Sequence, residues 1–206
     1  SNDNTVKIAE DLGAKVIFNE WNGYGPQKVF GENLCKNNWI LNLDADEEAS
    51  AELQSEIQSL FHNNSPKYKA YHVNIKILSR FMSKPNKFAP SNSPIRFYNK
   101  TFAGFKDSSV HDSVIFKSND LKAGKLSNIV IHRCFRSFSH AIDKINFYSS
   151  MQANDLVNKG RVPSTARILI EPFIAFLKSY TLRRYFLLGI DGFIESIIYS
   201  FARTIR

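Results

Sequence analysis

The chain has 206 residues, 43% hydrophobic and 22% charged, an ordinary globular composition with enough length to bury one core. This excludes a fibrous or disordered chain. Two cysteines, Cys35 and Cys134, are too few for a disulfide framework, and no Cys/His spacing suits zinc, so a reduced setting is expected. The formal net charge is +8; residues 1–116 hold 13 Lys/Arg and 13 Asp/Glu, so the whole excess lies after them.

The opening residues lack the basic-then-apolar pattern of a signal peptide, and no apolar run approaches the roughly 20 residues of a membrane-spanning helix. Asp3 or Asn4 suits the cap of a helix carrying Val6, Ile8, Ala9 and Leu12, with Gly13 as its stop; Lys15–Phe18 then reads as a buried strand. Pro26 fits the first turn of a second helix running to Cys35. Trp39–Leu43 is a second apolar strand, ending on Asp44-Ala45-Asp46-Glu47-Glu48. Leu53, Ile57, Leu60 and Phe61 define one face of a third helix capped by Ser50. Tyr68–Leu78, Pro94–Tyr98 and Asn128–His132 are strand-like. From Phe138 the pattern turns helical, with breaks at 160–163 and 189–192, and Ile190, Phe193, Ile194, Ile197, Ile198 and Phe201 form one apolar stripe. The order predicts an α/β sheet domain over 1–136 and a basic helical extension over 137–206.

Four carboxylates at the end of an apolar strand repel one another unless a cation joins them. In an extended Asp-X-Asp both Asp side chains point the same way, so Asp44 and Asp46 are expected to share one divalent ion, Mg²⁺ or Mn²⁺. A solvated acidic turn leading into the next helix is the competing reading. Upstream, Trp21-Asn22-Gly23-Tyr24-Gly25-Pro26-Gln27-Lys28 feeds a helix N-terminus and delivers a lysine, a pattern suited to phosphate oxygens although it lacks P-loop spacing. Together these features describe a diphosphate-bearing substrate.

The segments Ser1–Thr5 with Ile8–Val16, Trp21–Lys28, Trp39–Glu47, Arg96-Phe97-Tyr98, Val110-His111-Asp112, Lys144–Tyr148 and Leu188–Phe193, taken in order, resemble glycosyltransferase family 2. The resemblance is to its bacterial branch of lipopolysaccharide core glucosyltransferases. It implies a GT-A fold, a mixed sheet flanked by helices, whose opening nucleotide-binding strand would precede Ser1. It further implies metal-dependent, inverting transfer of a sugar from a UDP-linked nucleotide-sugar to a hydroxyl of a lipid-linked glycan. That reaction would run peripherally at the inner face of the cytoplasmic membrane, with no nucleic-acid partner.

By the same resemblance Asp46 and Asp44 would hold the metal and donor diphosphate, Lys28 and Gln27 would lie beside the donor, Arg96 would line the pocket, and Asp112 would be the general base. Two departures stand out: Val29 follows Gln27-Lys28 where the family has Asn, and Phe88–Pro94 replaces an aromatic, glycine-rich stretch. A polyprenyl-phosphate sugar transferase and a non-catalytic membrane-bound remnant are the rival readings. The helical extension, with Arg183, Arg184, Arg203 and Arg206 around its stripe, suits either an anionic membrane interface or packing on the sheet domain.

Overall fold

The structure is a computed structural model, and it describes residues 3–62, 66–106, 113–133, 137–158, 160 and 164–205. After helix α1 (Thr5–Asp11), where the Asp3 side chain accepts from the Thr5 N–H at 3.1 Å, the chain runs without regular structure to α2 (Tyr24–Leu34). Residues 15–18 are therefore not a strand. They pair with no neighbour among the described residues, and Phe18 is 91% exposed; an apolar run needs a ladder partner to become a strand. Gly23, at φ 116°, turns the chain into α2, a conformation that favours glycine.

The sheet comprises β1 (Trp39–Leu41), β2 (Glu47–Ala49), β3 (Ala70–Ile77), β4 (Ser91–Asn92), β5 (Ile95–Asn99) and β8 (Gly124–His132). Its order is β1-β5-β3-β8-β2, with β4 also on β3; β3 and β8 run parallel and the other pairs antiparallel. A hairpin of β6 (Ala103–Phe105) and β7 (Val114–Phe116) stands beside it, with Lys106 N–H bonded to Ser113 O at 2.9 Å. Side chains alternate across the sheet with period two. Tyr71, Val73, Ile75 and Phe97 join Leu126, Val130 and the wholly buried Leu53 of α3 (Ala51–Ser59) on one face. Ala70 and Tyr98 join Ile40, Ala103 and Phe105 on the other, against Val29 of α2. Ser50 caps α3 as its sequence predicts, its hydroxyl accepting from the Leu53 N–H at 3.2 Å.

The α4 helix (Phe138–Asn158) precedes α5 (Thr165–Leu177), which continues through a π-helical turn (Lys178–Leu182) and a 3-10 turn (Tyr185–Leu188) into α6 (Ile190–Thr204). α5 and α6 pack antiparallel, joined by an Arg203–Glu171 ion pair, a Ser200 hydroxyl donating to Pro172 O at 2.9 Å, and Phe176 against Phe193. The hairpin is locked to the sheet by Asp191, which is fully buried. Its carboxylate accepts from Ser79 Oγ (2.8 Å), Arg80 N (2.8 Å), Arg80 Nε (3.0 Å) and Arg80 Nη2 (2.6 Å), at the end of the segment leaving β3. Burial pushes this carboxyl up, but the Arg80 and Ser79 hydrogen bonds prevail and hold it below the usual carboxylate range. A Cβ at Gly192 would run into the Tyr185 carbonyl oxygen, so glycine alone allows α6 to approach that turn.

Candidate active site

The site forms where β1 ends and β5 begins. Asn42 N–H bonds to Arg96 O at 2.8 Å, carrying the β1–β5 pairing one step further, and Asn42 and Asp44 both turn their side chains toward Arg96. The Arg96 guanidinium, 10% exposed, donates to Asn42 Oδ1 (2.8 Å), Asp44 Oδ2 (2.8 Å) and Glu47 Oε1 (2.9 Å). From α2, Lys28 reaches Asp44 Oδ1 at 2.5 Å and Asn42 Oδ1 at 3.1 Å. Desolvation raises the Asp44 carboxyl, but Lys28 and Arg96 outweigh it and keep it below its ordinary value, hence ionised. Gln27, one residue earlier, accepts from Asn19 Nδ2 at 2.8 Å, which ties the loop ahead of α2 to that helix. The loop's Trp21 packs edge-on to Tyr24, whose hydroxyl contacts that of Tyr148 on α4.

Asp44 and Asp46 do not share one face. Residues 45–46 form a turn closed by Glu47 N–H to Asp44 O at 2.9 Å, and Glu47 Oε2 accepts from Asp44 N at 3.0 Å. The alternation expected of an extended Asp-X-Asp is broken there. Asp44 faces Lys28 and Arg96, whereas Asp46 faces His132 of β8, with Asp46 Oδ2 3.2 Å from His132 Nε2. β2 sets this arrangement: Glu47 is opposite His132, and Asp46 O accepts from Arg133 N at 2.8 Å. Among the described residues no group of three or more His, Cys, Asp or Glu side chains gathers as a metal centre.

The donor chemistry fits a divalent ion at Asp46 and His132 and does not fit one at Asp44. Asp44 already has Lys28 on one carboxylate oxygen and Arg96 on the other. Asp46 Oδ2 and His132 Nε2 stand 3.2 Å apart, so a carboxylate oxygen and an imidazole nitrogen, both able to ligate a metal, meet at one point.

Among the described residues Arg96 Nε is buried without a hydrogen-bond partner, and Arg96 lines an open cavity of about 340 Å³ together with His72, Phe105, Ser113 and Val114. Asp112, the expected base, lies outside the described residues with His111; its neighbour Ser113 borders this cavity. Sequence reasoning missed His132, Asn42 and Glu47 as site residues. Asn42 and Asp44 alternate after β1, a signal that was available, whereas His132 reaches the site only through a pairing of strands more than 80 residues apart in sequence.

A mixed sheet flanked by helices, with acids, a lysine and an arginine converging at one set of strand ends, is the architecture of a sugar-transferring enzyme of the GT-A type. The family model Glycosyl transferase family 2 matches residues 1–143, and the chain belongs to that family. It is 47% identical, over its whole length and 76% of the relative, to an uncharacterised glycosyltransferase of Rickettsia conorii, and 46% identical, over its whole length and 73% of the relative, to one of Rickettsia prowazekii. A more distant match, 24% identical over 98% of this chain and 77% of the relative, is the lipopolysaccharide core biosynthesis glycosyltransferase LpsC of Rhizobium meliloti. The protein is thus a transferase.

Proposed function

We propose that the enzyme transfers a sugar from a UDP-linked nucleotide-sugar to a hydroxyl of a lipid-linked glycan of the lipopolysaccharide-core type, with inversion, at the inner surface of the cytoplasmic membrane. The observation that carries this reading is the meeting of Lys28, Arg96 and Asp44 with the Asp46–His132 pair at one corner of the sheet. Asp46 and His132 would hold Mn²⁺ or Mg²⁺, which supplies charge neutralisation for a diphosphate leaving group. Lys28 and Arg96 add two fixed cations beside it, and Asp44 and Glu47 hold the arginine in orientation through charge-assisted bonds. Gln27 keeps the Lys28 turn of α2 in place through Asn19. Asp112 takes the proton of the attacking hydroxyl, the role its sequence context implies. The lipopolysaccharide-core acceptor is supported by the name of the Rhizobium meliloti relative.

Membrane contact is supported by the α5–α6 hairpin. Phe173 (74%), Leu177 (57%), Leu182 (77%) and Phe201 (55%) are exposed beside Lys178, Arg183 and Arg184, and no helix among the described residues is long and apolar enough to cross a membrane. The experiment is a product assay with radiolabelled UDP-sugars and membrane-extracted acceptor. Asp46→Asn should abolish metal-dependent transfer while the protein stays folded; turnover near the unaltered level would remove the assignment.

A further inference from the structure

A second cavity, about 660 Å³, opens between the β4 edge of the sheet and the turn that joins α5 to α6. His132 stands at its sheet side, and Arg183, Arg184 and Tyr185 form the opposite wall. Among the described residues its lining includes two arginines and no carboxylate, so its hairpin wall presents positive charge to anything that enters. Arg184 has φ 61° and ψ 30°, the left-handed region; among the described residues it is the one non-glycine residue with positive φ. That conformation joins the π-helical turn to the 3-10 turn, with Arg184 N–H donating to Thr181 O at 3.0 Å and Arg184 O accepting from Leu187 N–H at 3.1 Å. Arg184 is exposed, and among the described residues its guanidinium makes no hydrogen bond or ion pair. Arg183 is steadied by stacking on Tyr199, 4.9 Å from the ring centroid, which leaves its in-plane N–H groups available. His132, which lines the cavity, also touches Asp46 of the candidate site at 3.2 Å, and Leu182, exposed on the hairpin, lines it on the other side.

We propose that this cavity is the acceptor site and that it recognises an anionic saccharide, a sugar bearing a phosphate or carboxylate, whose charged group is held by Arg184 and Arg183 while the accepting hydroxyl lies toward His132. The assignment rests on the donor corner described above but depends on different residues. It explains why the strained arginine is placed where the sheet, the reaction corner and the apolar hairpin meet: the anion is gripped at the level of the membrane surface and the hydroxyl is directed inward.

The test is calorimetric titration of the intact chain with glucose 6-phosphate and with glucose, alongside UDP with Mn²⁺ and flotation on phosphatidylglycerol vesicles. The substitution is Arg184→Gly, which keeps the left-handed backbone without strain while removing the charge, with Arg184→Lys as the charge-retaining variant. Glucose 6-phosphate should bind the unaltered protein at least tenfold more tightly than glucose. Arg184→Gly should lose that preference while UDP binding is kept, and Arg184→Lys should retain part of it. Equal affinity for both sugars, or an Arg184→Gly protein that still prefers the phosphosugar, overturns the proposal. Loss of vesicle binding in Arg184→Gly with the phosphosugar preference intact also overturns it, by assigning the arginine to lipid headgroups. Absence of UDP binding in the unaltered protein counts against the donor corner alone, because the comparison of Arg184→Gly with the unaltered protein reads this cavity and not that corner.

Discussion

Removing the Asp191 carboxylate should unfasten the α5–α6 hairpin from the sheet, at a cost that the geometry sets. The carboxylate is fully buried and accepts from four donors, two of them on the Arg80 guanidinium. Asp191→Ala would strand those donors and leave an arginine without its partner, a change that typically costs about 3–5 kcal/mol in a buried pair. Arg80 is 29% exposed, so water recovers part of the loss and the expected cost is near the lower end, about 3 kcal/mol. Against a total stability of about 5–15 kcal/mol, that is a large share.

Urea unfolding followed by tryptophan fluorescence is suited to the measurement, since Trp39 stacks on Phe97 in the core with ring centroids 4.8 Å apart. Asp191→Asn, which keeps the shape but loses the charge, should cost less, about 1.5–3 kcal/mol. The Arg80→Ala/Asp191→Ala double variant should cost well below the sum of its singles, with a coupling of at least about 1 kcal/mol. A single-variant cost below about 1 kcal/mol, or additive singles, would refute the idea that this pair joins the hairpin to the sheet.

Acid should unfold the protein through its depressed carboxyls. Asp44 and Asp191, held below their ordinary 3.8, and Glu56, held below its ordinary 4.5, contribute stability that is complete above those values and is lost as pH falls through the folded-state values. The urea midpoint should therefore be insensitive to these groups from pH 7 to 5 and drop below about pH 4, less steeply in Asp191→Asn; an equal drop in that variant would contradict the assignment. Asp112→Asn should lower kcat by about 10²–10⁴ with UDP affinity unchanged, measured by initial rates and titration; a change confined to KM would place the base elsewhere. Phe173→Ser with Phe201→Ser should reduce flotation on anionic vesicles without altering the unfolding midpoint, because both rings are exposed.

Local signals carried well into the structure where each element is stabilised by its own residues. Ser50 caps α3, Leu53 and Ile57 face the core, and the period-two pattern of β3 and β5 sorts Tyr71 and Phe97 from Ala70 and Tyr98. The reading failed where structure depends on distant partners. Residues 15–18 have strand composition but no ladder among the described residues, and β8 begins at Gly124, four residues before the expected start at Asn128, because β3 provides a parallel neighbour. The acidic segment was legible as a cluster at a strand end, but its geometry was not, since the 45–46 turn and the β2–β8 pairing separate Asp44 from Asp46 and bring in His132. The Arg80–Asp191 lock, spanning 111 residues, has no local signature beyond the buried acid's place beside Gly192.

The proposed function turns on Asp46 and His132, rather than Asp44 and Asp46, holding a divalent ion beside a sugar nucleotide. Mn²⁺ titration monitored by electron paramagnetic resonance, with and without UDP, tests it directly. Mn²⁺ binding should tighten when UDP is present and fall at least tenfold in both Asp46→Asn and His132→Ala. The account is contradicted if either variant binds Mn²⁺ and UDP like the unaltered protein.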